Sequence, residues 1–274
     1  MGIYSHSKLS TFEQCPHKFR LRYIKKIIPE VEKSIEAHLG NAVHEALEWL
    51  YLEVMKAKEI PTIDELIIFY ANRWQDAYDD SFTIVRKDMT AKDYFNMGVK
   101  FLIDYHTKHS PFQDGTLEVE KKIRLDLGKH QIIGYIDRLV KNPMTGDFEI
   151  HDYKTGKTLP TQEKINGDRQ LALYSIAIKE LFGEEKRVCL VWHYLAHNQK
   201  ICSNRTNEEL AKLKEETLEL IEKIESAEDF PTNKSPLCNW CEYKSICKAF
   251  GNNIPMKEEE LNKFPHSKKH LREM

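Results

Sequence analysis

The sequence of 274 residues has no long apolar run. The longest wholly apolar stretch, Leu66 to Ala71, falls far short of the roughly 20 residues a membrane-crossing helix needs. No membrane partner is therefore expected. The opening MGIYSHSKLS has no apolar core of the signal-peptide kind, so a cytoplasmic location is expected. There is also no surplus of one charge. Lys and Arg total 41 against 43 Asp and Glu, a formal net charge of -2. Any nucleic-acid contact must then come from a local basic patch, not from a global field. Six cysteines are too few and too unevenly placed for a disulfide framework. Cys15 stands alone, Cys189 and Cys202 lie mid-chain, and Cys238, Cys241 and Cys247 cluster late. In a reducing compartment such a cluster points to metal binding. A phosphate-cradling loop is missing as well: before Thr155-Gly156-Lys157-Thr158, the place of the required glycine holds His151. A helicase motor is excluded with it, so any unwinding must come from a partner. Internal repeats and low-complexity tracts are absent too.

What is present suffices for a real core. The expected organisation is one domain over residues 1–250, with a polar tail over 251–274 that carries Lys268, Lys269 and Arg272. Residues 7–26 read as helix, opened by a capping box at Ser10 to Glu13. Its basic residues, Lys18, Arg20, Arg22, Lys25 and Lys26, form either a solvated face or a phosphate-contacting patch. Residues 39–58 are a stronger helix with Val43, Leu47, Leu50 and Val54 on one face. His44 stands beside that stripe, as a structural histidine unless a partner elsewhere makes it a ligand. Residues 55–112 are expected to be a helical insertion that shapes a substrate groove. From Thr116 the period changes to two, giving a three-strand meander that ends in Phe148 to Lys154. Helix is expected over 162–182, strand over 187–195 with Lys200 to Ser203 beside it, and helix over 206–227. Cys189 and Cys202 read as core residues, and His151, His193 and His197 as structural or surface groups.

The stretch Gly134 to Lys157 carries the chemistry. Asp137 lies on the middle strand of the meander, and Asp152 and Lys154 on the last. Side chains alternate along a strand, so Phe148, Ile150, Asp152 and Lys154 share a face. Charges on an apolar face are costly unless they pair or hold a metal. Two carboxylates on neighbouring strands can clamp a hard divalent cation, and a lysine two residues on can neutralise developing negative charge. At the other end of the chain, Cys238-x-x-Cys241-x5-Cys247 leaves a four-thiolate site one ligand short, and Cys15 is the best fourth. Zinc or an iron–sulfur cluster fits four thiolates.

Taken together, His44, GYIDR (134–138), DYK (152–154) and Gln170-x-x-x-Tyr174 resemble the RecB-type branch of the PD-(D/E)XK nuclease superfamily, with Ile136 in place of the proline. The resemblance implies an α/β fold, a restriction-endonuclease-like core with a mixed central sheet flanked by helices. It implies that His44, Asp137, Asp152 and the carbonyl of Tyr153 hold Mg2+ or Mn2+, that Lys154 is catalytic, and that Gln170 and Tyr174 line the DNA path. The cysteine spacing is similar to that of AddB-like and CRISPR-adaptation nucleases. This implies a 4Fe–4S staple on Cys15, Cys238, Cys241 and Cys247 that joins the N- and C-terminal regions, with zinc as the alternative. The expected activity is metal-dependent exonuclease action on single-stranded DNA or DNA ends, alongside a helicase, recombination or CRISPR-adaptation partner. A structure-specific endonuclease and a non-catalytic stapled DNA-binding subunit are the alternatives.

Overall fold

A computed structural model describes residues 2–29, 34–56, 60–79 and 82–251. The tail cations Lys268, Lys269 and Arg272 lie outside the described residues. The chain opens with a short strand, β1 (Gly2–Tyr4), which three residues of sequence could not reveal by periodicity. Helix α1 (His6–Gln14) follows, and its cap is Ser5, whose side chain accepts from Lys8 N. The capping box expected at Ser10 is therefore wrong: Ser10 lies inside the helix. The helix expected over 7–26 is also broken. Cys15 adopts an extended backbone, α2 (Pro16–Phe19) restarts with proline in its first turn, and a wider π-type turn runs over Arg20–Ile24.

Helix α3 (Ile35–Met55) begins at a Ser34 cap, four residues earlier than expected, and buries Val43, Leu47 and Leu50 completely. Helices α4 (Ile63–Ala77) and α5 (Ala91–His109) pack on it, each opened by a capping box in which Thr62 meets Glu65 and Thr90 meets Asp93. The meander is as the period-two pattern predicts: β2 (Thr116–Leu127), β3 (His130–Lys141) and β4 (Phe148–Lys154). The helix expected over 162–182 is two, α6 (Gln162–Asn166) and α7 (Gln170–Phe182), parted at Gly167-Asp168-Arg169. Strands β5 (Val188–Tyr194) and β6 (Gln199–Ser203) and helix α8 (Asn207–Glu225) complete the layers. Three short 3-10 turns follow, with Cys238 inside the first and Cys241 and Cys247 just after the first and second.

The six strands form one mixed sheet in the order β1-β3-β4-β5-β6, with β2 on the other edge of β3. One face buries Ile132, Ile136, Ile150 and Leu190 against α1, α7 and α8. The other meets the α3–α5 layer around Leu47, Tyr51, Tyr105 and Tyr153. Cys202 is exposed at the β6 edge, which corrects its placement in the core.

The edge of β3 opposite β2 is shared. β1 pairs with His130 to Ile132 and β4 with Arg138 to Lys141. The β3–β4 ladder stops at Arg138–His151, one residue before the two aspartates would face each other. The strands part there, and the fork is where the chemistry collects.

Behind the fork is a buried polar network. Arg138 is 1% exposed and donates to the Tyr153 hydroxyl (2.9 Å), Thr116 Oγ1 (3.0 Å), His151 Nδ1 (2.8 Å) and Asp114. A guanidinium can only donate, so His151 Nδ1 bears the lone pair and its Nε2–H donates to Glu149 at 3.0 Å. His193 Nε2, 2.8 Å from the same lone pair, must donate too. His151 is thus neutral, and burial is the first cause that holds both rings' pKa values well below the usual range, followed by Arg138 for His151 and by His151 and then Arg138 for His193. The sign of the linkage follows. Below pH 6.5 the unfolded chain takes up protons that the folded one refuses, so stability is full above about pH 7 and falls as pH drops through 6.5. Each such histidine costs about 1.4 kcal/mol per pH unit below that point. Thermal unfolding between pH 8 and 5 should show the loss, and a flat melting temperature over that range would refute it.

Candidate active site

The β3–β4 fork brings His44, Asp137, Tyr153, Asp152 and Lys154 to one place. Asp137 Oδ2 accepts from Tyr153 N at 2.9 Å and lies 3.4 Å from His44 Nδ1. His44 Nε2 lies 2.7 Å from the Tyr153 carbonyl oxygen. Helix α3 thus presents His44 between a carboxylate and a carbonyl, both of which only accept hydrogen bonds. A neutral imidazole has one N–H to offer, so one of these contacts sets a lone pair against an acceptor. The arrangement is short of positive charge.

Glu120 joins the group. Ligand atoms of His44, Glu120 and Asp137 all lie within 4.8 Å of one another. The β2–β3 register sets Glu120 opposite Asp137, between the Val119–Arg138 and Lys121–Ile136 pairs. Its φ is 45°, a left-handed backbone that a non-glycine residue adopts at a cost. Sequence reasoning missed Glu120 because LEVEKKIRLDL reads as plain alternation. A kink that turns one glutamate inward leaves no mark on that pattern.

Asp152 is 4% exposed and sits 2.6 Å from Lys154 Nζ through its Oδ2, an oxygen that has no aligned hydrogen bond. Burial raises the Asp152 pKa against the pull of Lys154. Burial would lower Lys154, but Asp152 and then Asp137 outweigh it, and its pKa is raised. Lys154 is therefore an ammonium at neutral pH. The residues fit a divalent cation. Carboxylate and carbonyl oxygens with one imidazole are the donors that Mg2+ or Mn2+ accepts.

Helix α7 closes the other side. Tyr174, 5% exposed, is hydrogen-bonded by Gln170, and burial pushes its pKa up to about 12. The ring lies against Gly134, where an added Cβ would come within 2.4–2.5 Å of Tyr174 Cε1, Cζ and the hydroxyl. Gly134 is thus required by close approach. Gly134→Ala should destabilise the fold by about 1–3 kcal/mol in urea unfolding. The cost should shrink in a Tyr174→Ala background, and equal costs in both backgrounds would sink the clash as its cause.

The four cysteines expected to share a site also converge. Cys15, between α1 and α2, and Cys238, Cys241 and Cys247 all line one cavity of about 60 Å³. The protein itself docks these segments: Asn233 Nδ2 donates to Gln14 O at 2.9 Å, and the Tyr243 hydroxyl to Ile27 O at 2.9 Å.

With this geometry in place, comparison with known proteins is decisive at the family level. The family model described as PD-(D/E)XK nuclease superfamily matches residues 3–248. The chain belongs to that superfamily. As a PD-(D/E)XK protein it is a nuclease-family chain whose relatives use divalent metals, in agreement with the His44, Glu120 and Asp137 group. A search of curated proteins finds no match. Among solved structures, the chain is similar to the protein SSO0001 at 15% identity and a TM-score of 0.42, over 90% of this chain and 86% of that one. It is also similar to a candidate exonuclease from Eubacterium rectale at 15% identity and a TM-score of 0.48, over 93% of this chain and 89% of that one. Among the described residues, no helix is long and apolar enough to cross a membrane.

Proposed function

We propose that the protein is a metal-dependent deoxyribonuclease of the RecB-like branch, acting as an exonuclease on single-stranded DNA or DNA ends. The observation that carries this reading is the fork itself, where His44, Glu120 and Asp137 converge beside the Asp152–Lys154 pair. Mg2+ or Mn2+, held by His44, Asp137, Asp152, the Tyr153 carbonyl and Glu120, would supply an activated water and positive charge at the scissile phosphate. Asp137 fixes the Tyr153 main chain through its N–H and so aims the adjacent carbonyl at His44. Lys154, an ammonium steadied by Asp152, offers a donor to a phosphate oxygen as negative charge builds. Gln170 and Tyr174 form the wall along which the DNA strand passes. The products are a 5′-phosphate and a 3′-hydroxyl. Recombination, repair or CRISPR spacer acquisition is the setting of this branch, and a helicase or adaptation protein would supply what the chain lacks for unwinding.

The test is digestion of DNA labelled at each end in turn, single- and double-stranded, with Mn2+. Release of labelled mononucleotides or short fragments from ends is expected, with covalently closed circles untouched. Cutting of circles would make it an endonuclease, and no cutting of any substrate would overturn the reading.

A 4Fe–4S cluster on Cys15, Cys238, Cys241 and Cys247 belongs to the same proposal. One zinc ion with Zn–S bonds of about 2.3 Å would draw the sulfurs to roughly 3.8 Å of one another. An iron–sulfur cluster would take the same four thiolates, which line one cavity. Anaerobically purified protein should be brown and contain about four irons per chain, and Cys241→Ser should lower both iron content and melting temperature. Colourless protein with one zinc per chain would refute it.

A further inference from the structure

The segment after Cys15 and the late cysteine segment hold charges and rings that the catalytic reading leaves unused. They form one body. His17 N donates to Pro231 O at 3.1 Å, Lys18 pairs with Glu242 at 2.7 Å, and the Phe19 and Phe230 rings stack beneath. Glu242 takes up Lys18 and, at 3.8 Å, Arg22. Burial and then the charges of Lys248 and Arg20 lower the His17 pKa. Lys234 and Lys244 line the cysteine cavity close by. A locally basic surface thus stands on a chain whose net charge is -2.

The late cysteine segment carries two exposed large aromatic rings: Trp240 is 45% exposed and Phe250 is 41% exposed. Lysines border Phe250, and one of them bonds to the residue before Trp240. Lys234 Nζ and Lys244 Nζ lie 5.2 and 5.4 Å from the Phe250 centroid, and Lys244 also donates to Asn239, the neighbour of Trp240, at 3.1 Å. A protein-binding patch would combine such rings with few lysines, because lysine is depleted where interfaces are driest. Rings interleaved with lysines suit a nucleic-acid strand instead: bases stack on the rings while phosphates meet the ammonium groups. Stacking one base is worth roughly 5- to 150-fold in affinity, more than the few-fold of an exposed cation–π contact. A base can therefore displace the lysines from the Phe250 ring, and the strand's own phosphates then receive them.

We propose that Trp240 and Phe250, with Lys234, Lys244 and Lys248, form a guide surface for single-stranded DNA outside the catalytic fork. The inference rests on the nuclease reading and deepens it, since paired bases inside a duplex cannot reach the rings. The duplex would meet the lysines alone.

The test is fluorescence anisotropy on the full chain in EDTA, which prevents cleavage, with a fluorescein-labelled oligothymidylate of about 20 nucleotides and a duplex of equal length. Trp240→Ala with Phe250→Ala should weaken single-strand binding by about 10-fold or more, with duplex affinity within about 2-fold and the salt slope unchanged. Phe250→Trp should keep single-strand affinity. Lys234→Gln with Lys244→Gln and Lys248→Gln should weaken both substrates and lower the single-strand salt slope by about 2, at about 0.7 per phosphate contact. Unchanged visible absorbance and melting temperature would show that the cysteine region remains folded in each variant. Single-strand affinity that survives loss of both rings overturns the guide, and so does a parallel loss for single strand and duplex. If the wild type cuts DNA in Mn2+ but the ring variants bind single strands as it does, only the guide falls. If the wild type neither cuts nor binds any DNA, the nuclease reading falls with it.

Discussion

Asp137→Asn leaves the protein folded and lowers DNA hydrolysis by roughly 10²- to 10³-fold, the order expected when one electrostatic element of a preorganised site is removed. Asparagine is the informative replacement. Its Oδ1 can still accept the 2.9 Å bond from Tyr153 N, so the strand keeps its contact while the ligand charge disappears. Alanine would leave that N–H unpaired at a cost of about 1–3 kcal/mol and blur a catalytic loss with a structural one. Binding of Mn2+, followed by its electron paramagnetic resonance signal, should weaken together with activity, while the melting temperature stays near that of the wild type. Glu120→Gln should weaken Mn2+ binding in the same assay, because its carboxylate converges on the same point. Cleavage by Asp137→Asn at the wild-type rate would remove Asp137 from the chemistry and the proposed mechanism with it.

How much of this was legible in the sequence depended on how locally each feature is encoded. The meander was legible because alternation over β2, β3 and β4 is a local property of the chain. Gly134 to Lys157 announced itself by charges on an apolar strand. The pairing partners were not legible. No local pattern says that β1 and β4 share one edge of β3 and leave a fork between them. Glu120 and the Arg138 network stayed hidden for the same reason, since a kinked backbone and a buried guanidinium are settled by contacts more than ten residues away. The Ser10 cap failed through a competitor: Ser5 offers the same oxygen one and a half turns earlier, and the chain uses it.

Arg138→Ala should destabilise the protein by about 3–5 kcal/mol, a large share of the roughly 5–15 kcal/mol that holds a typical domain together. Asp137 and Arg138 are consecutive, and both grip α3 and Tyr153. Asp137 reaches His44 and the Tyr153 main chain, while Arg138 reaches the Tyr153 hydroxyl and lies 4.1 Å from the Tyr51 ring centroid. His44 and Tyr51 stand two turns apart on that helix. Removing the guanidinium empties a large buried volume and takes a donor from the Tyr153 hydroxyl and from Thr116 Oγ1, while His151 Nδ1 keeps His193 Nε2 at 2.8 Å. Asp114 contributes less to the loss, because its side chain is 35% exposed and water can replace the arginine there. Arg138→Lys tests the geometry. One ammonium retains the charge but cannot serve Tyr153, Thr116 and His151 together, so its unfolding midpoint in urea should fall between those of wild type and alanine. The Tyr153 hydroxyl and the Tyr153 carbonyl belong to one residue, so loosening the first frees the second to leave His44. Arg138→Lys should therefore bind Mn2+ more weakly than its modest loss of stability alone would require. If Arg138→Ala unfolds within about 1 kcal/mol of wild type, the network behind the fork is not what holds the fork open.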